Sequence, residues 1–336
     1  MLRPMTAAPT ARKRSIAPQL EALEGRRLLA AKVTPQVTVQ ELETSPGSGS
    51  YYLLVTGTRR NDSILVTDNG KQAPGSLMVS ANGVVSYISQ RPSTSVAVVT
   101  GAGKDRVVYE LQGDLRPDAL QNVVVASSGR GIPATRSIAG GGSLQVTVNV
   151  VGKVSKGATL FVLATPDPKG ATALALNAPG AIDGTLFAGL TNLAAPGGKR
   201  LGPTTLDVNS TAAIAATGQL RVGVQGGSSR NVARINYSGA NNGDIAVSAT
   251  GSGAKDSLAA VVNMAAGSTG TVGRDATSTV GGFGRAPDVR FLIARGLDTR
   301  TKTGINALIQ ATSRRSVAVH TPNVISLVAG SDSVVA

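Results

Sequence analysis

Short β-prone runs, each closed by a Gly, Asn or Asp turn, recur along this chain from about residue 33 onward and leave little room for any other class of fold. Leu144, Val146, Val148 and Val150 alternate with polar residues, the period-2 pattern of a strand with one buried face. Runs of this kind cover residues 33–42, 51–56, 63–67, 76–80, 84–89, 95–100 and 106–111. The pattern continues at 122–126, 143–151, 159–163, 205–208, 219–224, 233–237, 244–248, 288–294 and 316–320. Pro46-Gly47-Ser48-Gly49, Asp68-Asn69-Gly70 and Ala81-Asn82-Gly83 supply the positive-φ positions of tight turns. Two Ala-rich stretches, 258–266 and 304–311, read as short helices or as strands with equal ease.

One unit recurs: a Gly turn, then Asp or Asn, then a β-branched run. It starts at Gly57 (with Asp62), Gly101 (Asp105), Gly226 (Asn231), Gly251 (Asp256) and Gly281 (Asp288). The first glycines lie 44, 125, 25 and 30 residues apart, and the last two spacings are near the length of one coil of a β-solenoid. The expectation is an all-β chain, a right-handed parallel β-helix or related β-solenoid over residues 33–336. Columns of Val, Ile, Leu and Ala would fill it, with Gly and Asn at the corners. The repeat-poor stretch near 112–218 is where larger insertions or a second domain would fall. The competing account is that any Gly-rich all-β chain shows turn repeats by chance.

Composition narrows the chemistry more than it names it. With no Cys and one His in 336 residues, zinc sites, thiol nucleophiles and disulfide scaffolds are excluded. So is any His-paired catalytic group not built on His320, which reads as a strand-end polar residue. The net charge is +14, and residues 1–31 hold a disproportionate part of it (Arg3, Arg12, Lys13, Arg14, Arg26 and Arg27 against Glu21 and Glu24). The remainder is scattered, and the pairs Lys199-Arg200 and Arg314-Arg315 have no interleaved aromatics to stack bases. That pattern predicts loose attraction to an anionic extracellular polymer or the cell envelope, with no specific nucleic-acid reading. No stretch approaches 18 consecutive apolar residues, so no transmembrane helix is expected.

Catalytic motifs dissolve on inspection. Glycoside hydrolysis needs two facing carboxylates, yet only Glu41 and Glu43 form an i, i+2 acidic pair on a strand, and they lie outside the repeats. Tyr51-Tyr52 is the one adjacent aromatic pair in a chain without Trp. No Gly-Lys is followed by Ser or Thr, so no P-loop is present. Ser252-Gly253-Ala254-Lys255 and Lys302-Thr303-Gly304 match fragments of the penicillin-recognising pattern, but S-D-N is missing between them.

Two resemblances add to this reading. Residues 20–31 read Leu20-Glu21-Ala22-Leu23-Glu24-Gly25-Arg26-Arg27-Leu28-Leu29-Ala30-Ala31, after a basic head, with Leu residues near helical spacing. The segment resembles the LEPR-XLL motif (LExLExRxLLSA) that heads many exported or surface proteins of planctomycete bacteria. Leu20, Glu21, Leu23, Glu24, Arg26, Leu28, Leu29 and Ala31 match it, and Ala30 stands where Ser is usual. The resemblance implies that residues 1–32 are an N-terminal sorting segment, helical or disordered, and that the protein is extracellular or displayed at the cell surface. It implies no chemistry.

The recurring unit resembles the Ca²⁺-binding nonapeptide of RTX proteins, G-G-x-G-x-D-x-U-x. Gly101, Gly103, Asp105 and Val107 fit its offsets, and Asp62, Asp256 and Asp288 belong to looser copies. These four Asp are the candidate Ca²⁺ ligands. Against them stand the lack of tandem copies and the Lys or Arg in or beside each loop (Arg60, Lys104, Arg230, Lys255, Arg285). Turn capping by Asp is the alternative. The resulting expectation is a non-catalytic exported or cell-surface structural or adhesion-type repeat protein, without a cofactor. The rivals are a Ca²⁺-stabilised RTX-like repeat protein and a carbohydrate-active β-helix enzyme.

Overall fold

A computed structural model describes residues 36–129, 140–165, 170–190, 202–225, 230–250, 257–265, 267–274, 288–295 and 326–328. The chain divides into two units, Met1–Pro35, which lies outside the described residues, and Gln36–Ala336. The second unit holds strands β1 (Thr38–Glu43), β2 (Tyr51–Thr56), β3 (Ser63–Asp68), β4 (Leu77–Ala81), β5 (Val84–Ile88), β6 (Ser93–Val99) and β7 (Lys104–Leu111). Then come β8 (Leu120–Ala126), β9 (Ser143–Val150), β10 (Thr159–Thr165), β11 (Thr172–Ala178), β12 (Thr185–Leu190), β13 (Thr204–Ser210) and β14 (Gln219–Gln225). The last are β15 (Asn231–Gly239), β16 (Asp244–Thr250), β17 (Ser257–Met264), β18 (Thr271–Arg274), β19 (Asp288–Arg295) and β20 (Ser326–Val328). No helix occurs among the described residues, and none is long and apolar enough to cross a membrane.

From β6 to β19 the chain alternates between two sheets, and each passage adds one parallel strand to each; β20 then pairs with β19 in the second. One sheet runs β1-β2-β6-β8-β10-β12-β14-β16-β18 and the other β20-β19-β17-β15-β13-β11-β9-β7-β3-β4-β5. Strands drawn from 112–218 take up the middle of both sheets. Antiparallel strands close the N-terminal side, β1 against β2 and the β4–β5 hairpin against β3. That arrangement covers the first parallel strands, whose unpaired backbone would otherwise recruit another chain.

Register turns local alternation into columns. Leu53, Val96, Val123, Val162, Ala188, Val222 and Val247 stack from strand to strand in the first sheet. In the second, Val66, Tyr109, Val148, Leu176, Val208 and Ile235 do the same. All belong to one buried apolar cluster. Each aliphatic side chain so buried contributes about 1.5–3 kcal/mol relative to exposure, which is available only because the next strand stacks above it. A third, shorter column of parallel bridges links Leu115, Val154, Ile182, Ile214 and Asn241 at the corner leading from the second sheet back to the first.

Of the Ala-rich stretch at 258–266, residues 258–264 belong to strand β17, in register with β15. Its Ala260, Val262 and Met264 face inward, so packing decides what helix propensity left open. Strands β11 and β12 were not expected from the sequence, because Thr-Ala-Leu-Ala-Leu-Asn-Ala and Thr-Leu-Phe-Ala-Gly-Leu are rich in helix formers or Gly. Leu174, Leu176, Leu186 and Ala188 nevertheless fill inward columns. The stretches at 304–311 and 316–320 lie outside the described residues.

Candidate functional site

The corner entering the second sheet is where the recurring Gly-Asp unit lands. Asp62 immediately precedes β3 and Asp105 is the second residue of β7; the two are neighbours in one column, with 4% and 3% of their surfaces exposed. Thr58 donates its backbone N–H to Asp62 Oδ2 at 2.6 Å and its hydroxyl to the same oxygen at 3.0 Å. Asp62 in turn donates its backbone N–H to Asp105 Oδ1 at 3.0 Å. Glycine permits this stacking. Gly101 and Gly103 sit at positive φ against the carbonyls of Thr58 and Arg60, where any Cβ would collide. Burial pushes the Asp105 carboxyl above its usual pKa, and the bond from the Asp62 N–H partly offsets this.

Further along, the column continues as Leu144, Thr172, Thr204 and Asn231. The Thr204 hydroxyl donates to Asn231 Oδ1 at 2.7 Å. The first two acidic units and the Asn231 unit thus occupy one corner, in which the polar atoms tie successive turns together. Asp288 opens β19 opposite Ser257, one position out of that column, and its side chain is outside the described set. Asp256 and the segment holding Leu20, Glu21, Leu23, Glu24, Arg26, Leu28, Leu29 and Ala31 lie outside the described residues, as does His320. A Ca²⁺ ion takes six to eight oxygens. At the described corner two carboxylates converge, and both accept backbone N–H bonds. No group of three or more His, Cys, Asp or Glu is placed to hold a metal among the described residues.

A third buried carboxylate escaped the sequence reading. Asp68, at the end of β3, is 1% exposed. It accepts the Tyr109 hydroxyl at 2.6 Å on Oδ2 and the Gly70 N–H at 2.7 Å on Oδ1. Burial raises its pKa, and those two bonds oppose the rise. Desolvation also pushes the Tyr109 phenol well above its usual range. A turn Asp two residues before Gly is common enough that only the burial of Tyr109 distinguishes it.

The acidic pair of β1 is spent on local structure. Glu41 Oε1 accepts the N–H groups of Gln90 (2.7 Å) and Arg91 (3.3 Å), and Glu43 accepts those of Gly47 and Gly49. Tyr51 lies under the Arg91 guanidinium, 4.4 Å from its ring centroid. Tyr52 packs on a small apolar cluster of Leu54, Ala97, Val99 and Ala126. On the first sheet, Phe161 and Phe187, partners in register, stack at 4.5 Å.

The outer face of the second sheet carries a feature of another kind. Glu110, Asn149, Asn177, Asn209 and Asn236 are register partners on β7, β9, β11, β13 and β15. Asn149 Nδ2 donates to Glu110 (3.2 Å), Asn177 to Asn149 (3.0 Å) and Asn236 to Asn209 (3.2 Å). Asp207 and Arg234 form an ion pair at 3.1 Å two residues earlier on β13 and β15. Over the C-terminal half of this amide row lies an open trough of about 400 Å³, bounded by Asn177, Asn209, Asn236, Thr211, Ser238 and Asn263. The row was invisible in the sequence because loops of unequal length separate its members. Comparison with family models, curated proteins and solved structures finds no match to this chain.

Proposed function

We propose that the chain is a non-catalytic, exported or cell-surface protein of structural or adhesive type, built as a right-handed parallel β-solenoid. The observation that carries the reading is the use made of the buried carboxylates: Asp62, Asp68 and Asp105 each accept hydrogen bonds from the fold itself. A hydrolase needs a proton donor and a base free to face a substrate. The closed coil is supported by the third column of bridges at Leu115, Val154, Ile182, Ile214 and Asn241, which is what a chain winding back to its starting sheet would form. Export is supported by the LEPR-XLL resemblance of residues 20–31 and surface attachment by the +14 charge.

Incubation with neutral and acidic polysaccharides, read by release of reducing ends, should give no turnover. Cleavage that disappears on replacing an acidic residue would overturn the non-catalytic reading. Deletion of residues 1–31 should abolish export; a truncated protein that still leaves the cell would overturn the sorting assignment.

A further inference from the structure

We infer that the trough over the asparagine row of β11, β13, β15 and β17 is a binding site for an uncharged polysaccharide chain lying along the sheet, across the strands. The inference rests on the adhesive reading and names its ligand class. Two outward rows bound the trough. One is Asn177, Asn209 and Asn236, continued in register by Val261; the other passes through Thr211, Ser238 and Asn263.

Charge selects against the obvious alternatives. The protein carries +14, yet none of the residues lining the trough is Lys, Arg, Asp or Glu. The ion pair two residues earlier on β13 and β15, Asp207 and Arg234, is self-neutralised. A polyanion therefore gains nothing here that the rest of the surface does not offer more strongly.

Hydrogen-bonding capacity points to hydroxyl groups. The amide row is interrupted between Asn177 and Asn209, since Asn177 donates away from Asn209, to Asn149, and Asn209 accepts from Asn236. The Asn177 carbonyl and the Asn209 amino group thus keep capacity toward the trough, and the row ends at Val261, above Asn236. A primary amide offers two N–H donors and two acceptor lone pairs, the complement of a sugar hydroxyl, which both donates and accepts. Val261 and Pro179 add apolar area, which suits the C–H faces of pyranose rings.

Size and repeat agree with this assignment. Four neighbouring strands span three interstrand spacings, about 14 Å at ~4.8 Å each. The strand spacing is close to the rise per residue of an extended glycan, so successive sugars meet equivalent positions on successive strands. A volume of about 400 Å³ falls within the ~300–1,000 Å³ range of small-ligand clefts.

The test is retardation of the full-length protein in native gels at acid pH. The gels contain hydroxyethyl cellulose, glucomannan or xylan, with polygalacturonate as the polyanion comparison, and the runs are repeated in about 1 M NaCl, where the Debye length is ~3 Å. At least one neutral polymer should retard the protein, and salt should leave that retardation intact. Ser238→Ile fills the trough without touching the amide row, and Asn209→Leu keeps volume while removing the amide. Each should weaken retardation about tenfold, the equivalent of one lost hydrogen bond, with the melting temperature of Ser238→Ile unchanged. Failure of every neutral polymer to retard the protein, binding confined to polygalacturonate and lost in salt, or full retention by Ser238→Ile would each overturn the inference. Reducing ends measured in the same mixtures separate the two readings: their release refutes the non-catalytic reading, whereas absent binding without release refutes this inference alone.

Discussion

Replacing Tyr109 by Phe isolates the energetics of a buried carboxylate in this fold. Tyr109 is fully buried, and its hydroxyl donates to Asp68, itself 1% exposed, at 2.6 Å. The variant leaves the ring packed and Asp68 with the Gly70 N–H as its remaining donor among those described. A hydrogen bond to a charged group is worth about 1.5–3 kcal/mol, and stranding a buried acceptor places the loss at the upper end, about 2–3 kcal/mol near neutral pH. Tyr237→Phe is the matched control. Tyr237 is 2% exposed and borders the trough, and its hydroxyl donates to the neutral carbonyls of Ala212 (2.8 Å) and Ala240 (3.1 Å), so its loss costs about 1 kcal/mol.

The two variants also separate by pH. Burial raises the Asp68 pKa and the Tyr109 bond restrains the rise, so Tyr109→Phe moves the folded-state value higher still. A raised carboxyl pKa means that the folded state holds its proton more tightly than the unfolded chain, whose value is ~3.9. The resulting stability is fully present below the unfolded pKa and is lost as pH rises through the folded one. The Tyr109→Phe penalty should therefore grow between about pH 4 and pH 7, while that of Tyr237→Phe stays level. Urea unfolding at both pH values, compared at constant m, measures each penalty. Equal penalties for the two variants at neutral pH, or a Tyr109→Phe penalty independent of pH, would refute the reasoning.

Asp105→Asn keeps an acceptor for the Asp62 N–H and removes a carboxyl whose pKa is raised by burial. Its melting temperature relative to wild type should climb as pH rises from about 4 to 7, and parallel pH profiles would contradict the assigned shift. Gly152→Ala drives a Cβ into the backbone carbonyl of Gly113 on the preceding turn and should destabilise by about 1–3 kcal/mol in chemical denaturation. Thermal unfolding should be indifferent to millimolar Ca²⁺ against chelator, because Asp62 and Asp105 already bond backbone N–H groups; a Ca²⁺-dependent rise would restore the RTX-like reading.

Legibility in the sequence followed the range of the interactions concerned. Strands such as β9 and β14 carry apolar alternation rich in Val between turn residues, and their limits agree with the sequence reading within a residue. Strands β11 and β12 carry Ala, Leu and Gly, whose local preference is not extended. Only the column partners of Leu176 and Ala188 make the strand conformation worthwhile. The Gly-Asp units were visible as motifs, but whether Asp62 and Asp105 face an ion or each other depends on the register of β3 against β7.

The asparagine row is the clearest division between the two sources of information. Asn149 and Asn177 are 28 residues apart, and Asn209 and Asn236 are 27 apart. The step between Asn177 and Asn209 is longer, yet the two remain register partners. By itself the sequence determined the all-β class, the turn chemistry and the absence of thiol chemistry, because composition and period-2 alternation are properties of single residues and near neighbours. The tertiary structure alone decided which carboxylates are buried, which strands stack and where amides align. Those outcomes are set by long-range register, which loop length leaves unchanged and local sequence does not encode.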